Sequence, residues 1–338
     1  MKRLAKLAVL TGAALTALAF AGNALAVQKL SIAQTATSMT IKVTQAQSDP
    51  QPAKITIYVP TGYSINTSAA PGTKLGTASG SVFARDVNIP LPLAGDVTAA
   101  EPTTNTTGCA TGTHLAVWAL NLSVAGQSIP TLNVHIDTTA GPEAALGAYK
   151  MVVCLPPADV PQGTPGRSPQ GAQLLDATFT VSNVFQVPAT QSIWKAITTP
   201  WTPGLPVPSP TGTVETRALA TPGTLTMKAT VTNKKKRTLR VTGMLAQGGA
   251  GLAGSQVRLL LNGAASRFTA RTSASGNYSV VLKKTGKKSV TTFQARSTVA
   301  ERDATSTVCA TPSLPGVPCV SATASGFTAV SNKVRVKL

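Results

Sequence analysis

Lys333-Val334-Arg335-Val336-Lys337-Leu338 alternates a base with an aliphatic residue at every step. Successive side chains of a strand point to opposite faces, so the bases share one face and the apolar residues the other. Outward from this stretch the pattern repeats. Arg267, Thr269 and Arg271 alternate with Phe268 and Ala270, and Arg240 sits between Leu239 and Val241. Runs of helical period are nearly absent. Short alternating segments bounded by Gly, Pro, Asn or Asp recur instead, predicting strands at Met39–Val43, Lys54–Val59, His114–Leu122, Thr131–Asp137, Tyr149–Cys154 and Ala177–Val184. The expected fold is all-β, two antiparallel β-sandwich domains in which alternate residues enter the core. Aromatics are 4% of residues, so that core is built mainly from Val, Leu and Ile.

Charge divides the chain. From Thr221 to Leu338 there are eighteen Lys or Arg residues and two acids, Glu301 and Asp303. Residues 27–220 hold nine bases and nine acids. One half is neutral and the other a polycation, which suggests that the basic half is drawn to an anionic surface or polymer.

The first residues read as a signal peptide over 1–26. Lys2, Arg3 and Lys6 precede an apolar run from Leu7 to about Ala21, and Ala24-Leu25-Ala26 fits a small-x-small cleavage site. The run is short for a membrane span, and no Cys stands at the cleavage point to take a lipid. Export without a built-in anchor, to an extracellular or envelope-associated place, is the expectation. Four cysteines allow three pairings. Pairing within each half gives Cys109–Cys154 and Cys309–Cys319, read as structural staples because no C-x-x-C spacing is present.

The mature chain divides into a neutral sandwich over 27–185, a Pro- and Trp-rich segment over 186–221, and a basic sandwich over 222–338. In the middle segment Ser192–Trp201 and Gly212–Ala218 read as hairpin arms that finish the first domain, against the competing reading of a plain linker. Trp194 and Trp201 favour packed structure; exposed, they would offer a stacking surface for a glycan or peptide. In the basic half the predicted strands are Thr224–Val231, Thr238–Met244, Ser255–Leu261, Ser266–Thr272, Asn277–Lys283, Ser289–Ser297, Cys319–Ala324 and Thr328–Leu338. Gly251-Leu252-Ala253-Gly254-Ser255-Gln256-Val257 and Thr272-Ser273-Ala274-Ser275-Gly276-Asn277-Tyr278-Ser279-Val280 each lead into a strand. This half resembles bacterial Ig-like and carboxypeptidase-regulatory-like sandwich modules, in which a turn Gly followed by an aromatic residue opens a core strand. The resemblance implies a non-catalytic extracellular module and carries no functional residues with it.

Lys234, Lys235, Lys236 and Arg237 fill the first turn of this half, and Lys283, Lys284, Lys287 and Lys288 the fifth. If consecutive strands run antiparallel, both clusters share one tip, pointing away from the first domain. They are the candidate binding residues for an anionic cell-envelope polymer or lipid surface. The competing reading is a solubilising coat on a spacer or adhesin-like protein. Nucleic acid is disfavoured, since Phe268 falls on an apolar strand face and no stacking platform is visible. Catalysis finds little support: there is no G-x-S-x-G, no H-E-x-x-H and no phosphate-binding Gly loop. His135 and Asp137 fall on one strand face with Asn133, expected to be solvated, and would approach a metal site only with His114 alongside. No cofactor and no metal are expected; a hydrolase in the first domain is the weakest alternative.

Overall fold

The computed structural model describes residues 28–35, 37–106, 108–124, 126–188, 190–220, 223–283, 290–311 and 313–337. The leader over 1–26 lies outside the described residues. The fold is all-β. One long sheet builds the first body. In spatial order its strands are Lys29–Gln34, Ser38–Thr44, Ala172–Ser182, Lys74–Ala84, Ile89–Ala100, Ala116–Val124, Leu132–Thr138, Tyr149–Cys154, Pro52–Val59, Ser192–Pro200, Val214–Ala220, Cys319–Ala324 and Arg302–Asp303. The sheet curls until its first strand lies against Val214–Ala220 and Cys319–Ala324. Thr323 Oγ1 donates to Leu30 O at 2.5 Å, and Ser325 Oγ donates to Ile32 O. The two halves of this sheet face each other as sandwich layers around a common core. Pro52–Val59, central in one half, is buried at every position but Lys54.

Lys74–Ala84 and Ile89–Ala100 were not expected as strands. They contain Gly76, Gly80 and Gly95, with Pro90 and Pro92, residues that read as loop. The glycines answer to close backbone packing: a Cβ on Gly76 would meet Thr180 O at 1.8 Å, and one on Gly95 would meet Asn121 O at 1.9 Å. Pairing with Ala116–Val124 begins only at Ala94. Pro90 and Pro92 are two residues apart, so both missing N–H groups face the edge left open there.

Ser192–Pro200 and Val214–Ala220 form an antiparallel hairpin added to Pro52–Val59. Trp194 is fully buried, with its ring centroid 5.2 Å from Tyr63 and 5.9 Å from Phe185. Trp118 joins the cluster through Phe185 at 5.9 Å. These edge-on contacts fill the end of the sandwich nearest residue 220.

The second body takes residues 223–283, 290–299 and 327–337. One sheet runs Lys228–Asn233, Thr238–Gln247, Asn277–Lys283, with Gly223–Leu225 continuing its first edge. The facing sheet runs Ala264–Arg271, Gln256–Leu261, Val290–Val299, and Phe327–Val330 and Val334–Lys337 share its last edge. Leu239, Val241, Val257, Leu259, Tyr278 and Phe293 form the centre of its core. Tyr278 is buried, and its hydroxyl donates to Thr226 O at 2.8 Å. Burial pushes the Tyr278 hydroxyl pKa well up.

Between its two visits to the second body the chain returns to the first, which corrects the expectation that 222–338 is one continuous domain. Cys319–Ala324 is a strand as predicted, but it pairs parallel with Val214–Ala220, and Arg302–Asp303 pairs with its end. The helix Thr305–Val308 and the Cys309–Cys319 disulfide lie with them. The cause is the outer face of Val214–Ala220, which requires a cover. Leu219 and Ile193 pack there against Ala304, Val308, Ala322 and Ala324. Beside them Glu215 and Arg217 are both fully buried, with Arg217 Nε donating to Glu215 Oε1 at 2.5 Å. Arg217 Nη1 donates to Val308 O at 2.8 Å and Thr311 O at 3.1 Å, and Nη2 to Ser313 Oγ at 3.2 Å. A guanidinium out of water needs its donors satisfied, and the returning segment supplies the acceptors.

Candidate anion-binding surface

The turn after Lys228–Asn233 carries the first lysine cluster. Lys234, Lys235 and Lys236 are exposed and Arg237 is half-buried. Asn233 Oδ1 accepts from Lys236 N at 2.7 Å, Lys234 O accepts from Arg237 N at 3.3 Å, and Arg237 closes the turn at φ 52°. Lys283 pairs with Thr238, so the strand leading to the second cluster ends beside this turn. Lys284, Lys287 and Lys288 lie outside the described residues. Lys337 pairs with Val290, the first residue of the strand that follows them. The far end of Thr238–Gln247 meets the first body. There Gln247 Nε2 donates to Ser325 O at 3.2 Å, and Arg302 Nη2 donates to Gln247 Oε1 at 2.6 Å. Lys234–Arg237 and Lys283 therefore occupy the end away from the first body.

A second group of bases was not picked out as a site from sequence. On the outer face of the second sheet Arg258 stands directly opposite Arg296, with Thr269 on its other side. Arg267 and Arg271 project from Ala264–Arg271, and Arg335 and Lys337 from Val334–Lys337; all are exposed. Period-two alternation puts each of these bases outside, but only the strand order makes Arg258 and Arg296 neighbours. No Asp or Glu occurs in residues 221–300 or 304–338, so this surface has one sign of charge. Glu301 and Asp303 belong with the returning segment: Ser31 Oγ donates to Glu301, and Thr305 N and Oγ1 donate to Asp303.

The histidines do meet, but not on a solvated face. His135 is fully buried, because the loop following Ala100, tied down by Cys109–Cys154, folds over it. The rings of His114 and His135 lie 4.6 Å apart. His114 Nδ1 donates to the Asp137 carboxylate at 3.0 Å, and His135 Nδ1 to Val152 O at 3.3 Å. Burial, partly offset by the Val152 hydrogen bond, holds the His135 pKa below its ordinary value. Among the described residues no group of three or more His, Cys, Asp or Glu side chains is placed to hold a metal. Trp194 is core and offers no stacking surface, whereas Trp201 is half-buried, with Nε1 donating to Leu155 O at 3.0 Å.

Both disulfides pair within their own half of the sequence, as expected, a feature of oxidising compartments. Among the described residues no helix is long and apolar enough to cross a membrane. No family model and no curated protein matches the chain. Among solved structures, one similar chain is a tetra-tandem repeat in the extending region of a large adhesion protein. It is 12% identical, with 90% of this chain and 99% of that chain covered and a TM-score of 0.22. At that score the likeness constrains neither fold detail nor function.

Proposed function

We propose that this chain is a secreted, non-enzymatic, envelope-associated binding protein whose second body attaches electrostatically to an anionic surface polymer. The observation that carries this reading is the Arg258–Arg296 pair. Like charges directly opposite on neighbouring strands cost roughly 0.2–1 kcal/mol. A coat serving solubility alone is met more cheaply by mixing signs, as ordinary surfaces do. Here Arg267, Arg271, Arg335 and the turn Lys234–Arg237 add to the same field with no carboxylate among them. Such a field favours a repeating anion, because each contact releases counterions and the contacts sum. The neutral first body is then the part presented away from the attached surface.

The test is retention of the full chain on immobilised polyphosphate, with anionic vesicles as a comparison. Retention at low salt that falls steeply as salt rises supports the reading. Replacing Arg258, Arg267, Arg296 and Arg335 with Gln, or the lysines of the two turns with Gln, should each flatten that dependence without lowering the unfolding midpoint. Absence of retention at low salt, or retention indifferent to both sets of substitutions, would sink it and leave the spacer reading.

A further inference from the structure

The first body is filled at one end and hollow at the other. Its aromatic cluster lies toward Ala220, where the chain passes to the second body. At the opposite end, between the two halves of the curled sheet, is an apolar cavity of about 500 Å³. Ile55, Val153 and Leu132 line it from one half, and Val82, Leu93 and Leu174 from the other. Phe179 marks the boundary, lining the cavity while packing 6.4 Å from Trp118. The hollow follows from side-chain size. Facing sheet layers lie roughly 10 Å apart, and only large side chains span that gap. Ala78, Ala84, Ala172 and Ala177 stand at this end of the neighbouring strands Lys74–Ala84 and Ala172–Ser182.

Interiors are close-packed, and voids larger than a water are few. A volume in the range of roughly 300–1,000 Å³ is instead what small-molecule pockets have. The segments reaching Pro130 and spanning Gly166–Gln170 contribute to the lining, and Pro130, Gly166, Pro169 and Gln170 are exposed. The cavity therefore opens between these loops, at the end away from the second body.

The polar groups of the wall restrict what can enter. Arg167 is committed to Asp86, at 2.9 and 2.6 Å, and to Val160 O at 2.7 Å. Asp176 accepts from Ser81 Oγ, and Gln51 Oε1 accepts from Leu174 N at 3.0 Å. No cation in the wall is left to pair with a carboxylate, and Asp176 would repel one, so the part held inside is not anionic. Ser168 also lines the wall, but its Oγ is buried with no surface open to the space.

We propose that the first body binds one aliphatic chain of the fatty-acyl type in this cavity. The binding is independent of the cationic second body, and its failure would leave the electrostatic reading untouched. The probes are the fluorescent polyene parinaric acid and its uncharged methyl ester, titrated into delipidated full chain at high salt, where attraction to the second body is screened. Saturable binding of the ester at one site per chain is expected. Ala177→Phe should abolish it and raise the unfolding temperature, because the new ring fills the hollow. Equal binding by Ala177→Phe and the parent, or no saturable binding of acid or ester, overturns the proposal. If Ala177→Phe unfolds instead, Ala172→Leu and Ala84→Leu supply the same test from neighbouring positions. Binding of the acid and not the ester would also overturn it, since the charge and not the chain would then be recognised.

Discussion

The two bodies treat charge in opposite ways. In the first, cations and carboxylates are matched locally: Lys74 to Asp96 at 2.7 Å, Lys150 to Glu143 at 2.7 Å, Arg167 to Asp86 at 2.6 Å and Arg217 to Glu215 at 2.5 Å. In the second there is no Asp or Glu to match, and cations are set side by side. Paired charge acts over one contact and serves the fold. Unpaired charge of one sign acts collectively over a surface and serves association. The contrast is sharpest at Arg217 and Arg258, the same residue type on a strand in both bodies, one sealed from water and one displayed to it.

Breaking the sealed pair has the largest expected effect. Arg217→Met strands Glu215 without its partner in a fully buried place, and loss of one member of such a pair costs about 3–5 kcal/mol. Urea unfolding of the full chain measures this. The double variant Arg217→Met with Glu215→Leu should recover most of the loss, because no buried charge is then left alone. If the double variant is no better than the single one, the loss comes from the hydrogen bonds to Val308, Thr311 and Ser313 and not from the orphaned carboxylate.

A smaller effect is expected from pH, again confined to the first body. Burial keeps His135 neutral by lowering its pKa from the ordinary 6.5. The unfolded chain takes up this proton first as pH falls, so the stabilisation is complete above about 6.5 and declines below it, down to the lower folded-state pKa. His135→Asn should flatten that decline, read as unfolding temperature between pH 7.5 and 5. A parent protein equally stable across this window would mean that His135 is not held neutral. The carboxylates Asp86 and Asp303, held down by the bonds from Arg167 and Thr305, lose their contribution only at more acidic pH, below their ordinary range.

Why one half of this contrast was legible and the other was not is a matter of range. Alternation is local, so strands such as Tyr149–Cys154 and Asn277–Lys283 could be read with their final bounds, and so could the outward facing of Arg240, Arg267 and Arg335. Pairing partners are not local. Val214-Glu215-Thr216-Arg217-Ala218-Leu219-Ala220 alternates like a half-exposed strand, with its charges on the apparent solvent side. Nothing within it announces that residues 302–324, some eighty positions on, will cover them. The same blindness hid Lys74–Ala84 and Ile89–Ala100, whose glycines make sense only against the backbones of Thr180 and Asn121. The cavity is likewise a property of facing layers: each small residue is ordinary in its own strand, and the hollow exists only where several of them meet.

Removing one displayed arginine should stabilise the protein slightly. Arg258→Thr relieves the direct opposition to Arg296 and places a residue of higher strand preference on an exposed face, for a gain of roughly 0.2–1 kcal/mol. The gain should shrink in high salt, where the repulsion it removes is already screened. A loss of stability instead would mean that the Arg258 stem covers apolar surface that Thr cannot reach.

The smallest effect marks where pairing stops mattering. Lys74 and Asp96 lie 2.7 Å apart, but their side chains are 58% and 49% exposed. Water and salt screen such a pair, and ordering two side chains offsets much of the attraction, so exposed bridges contribute about 0–1 kcal/mol. Lys74→Ala should therefore lower stability by no more than about half a kcal/mol, vanishing at high salt. Measured beside Arg258→Thr, it calibrates the comparison: both are single exposed charges on strands, and the two substitutions should shift stability by similar amounts in opposite directions. Should Lys74→Ala cost several times more, the pair belongs with Glu215–Arg217 as part of the framework, and the line between local and collective charge would have to be drawn by position in the sheet instead of by burial.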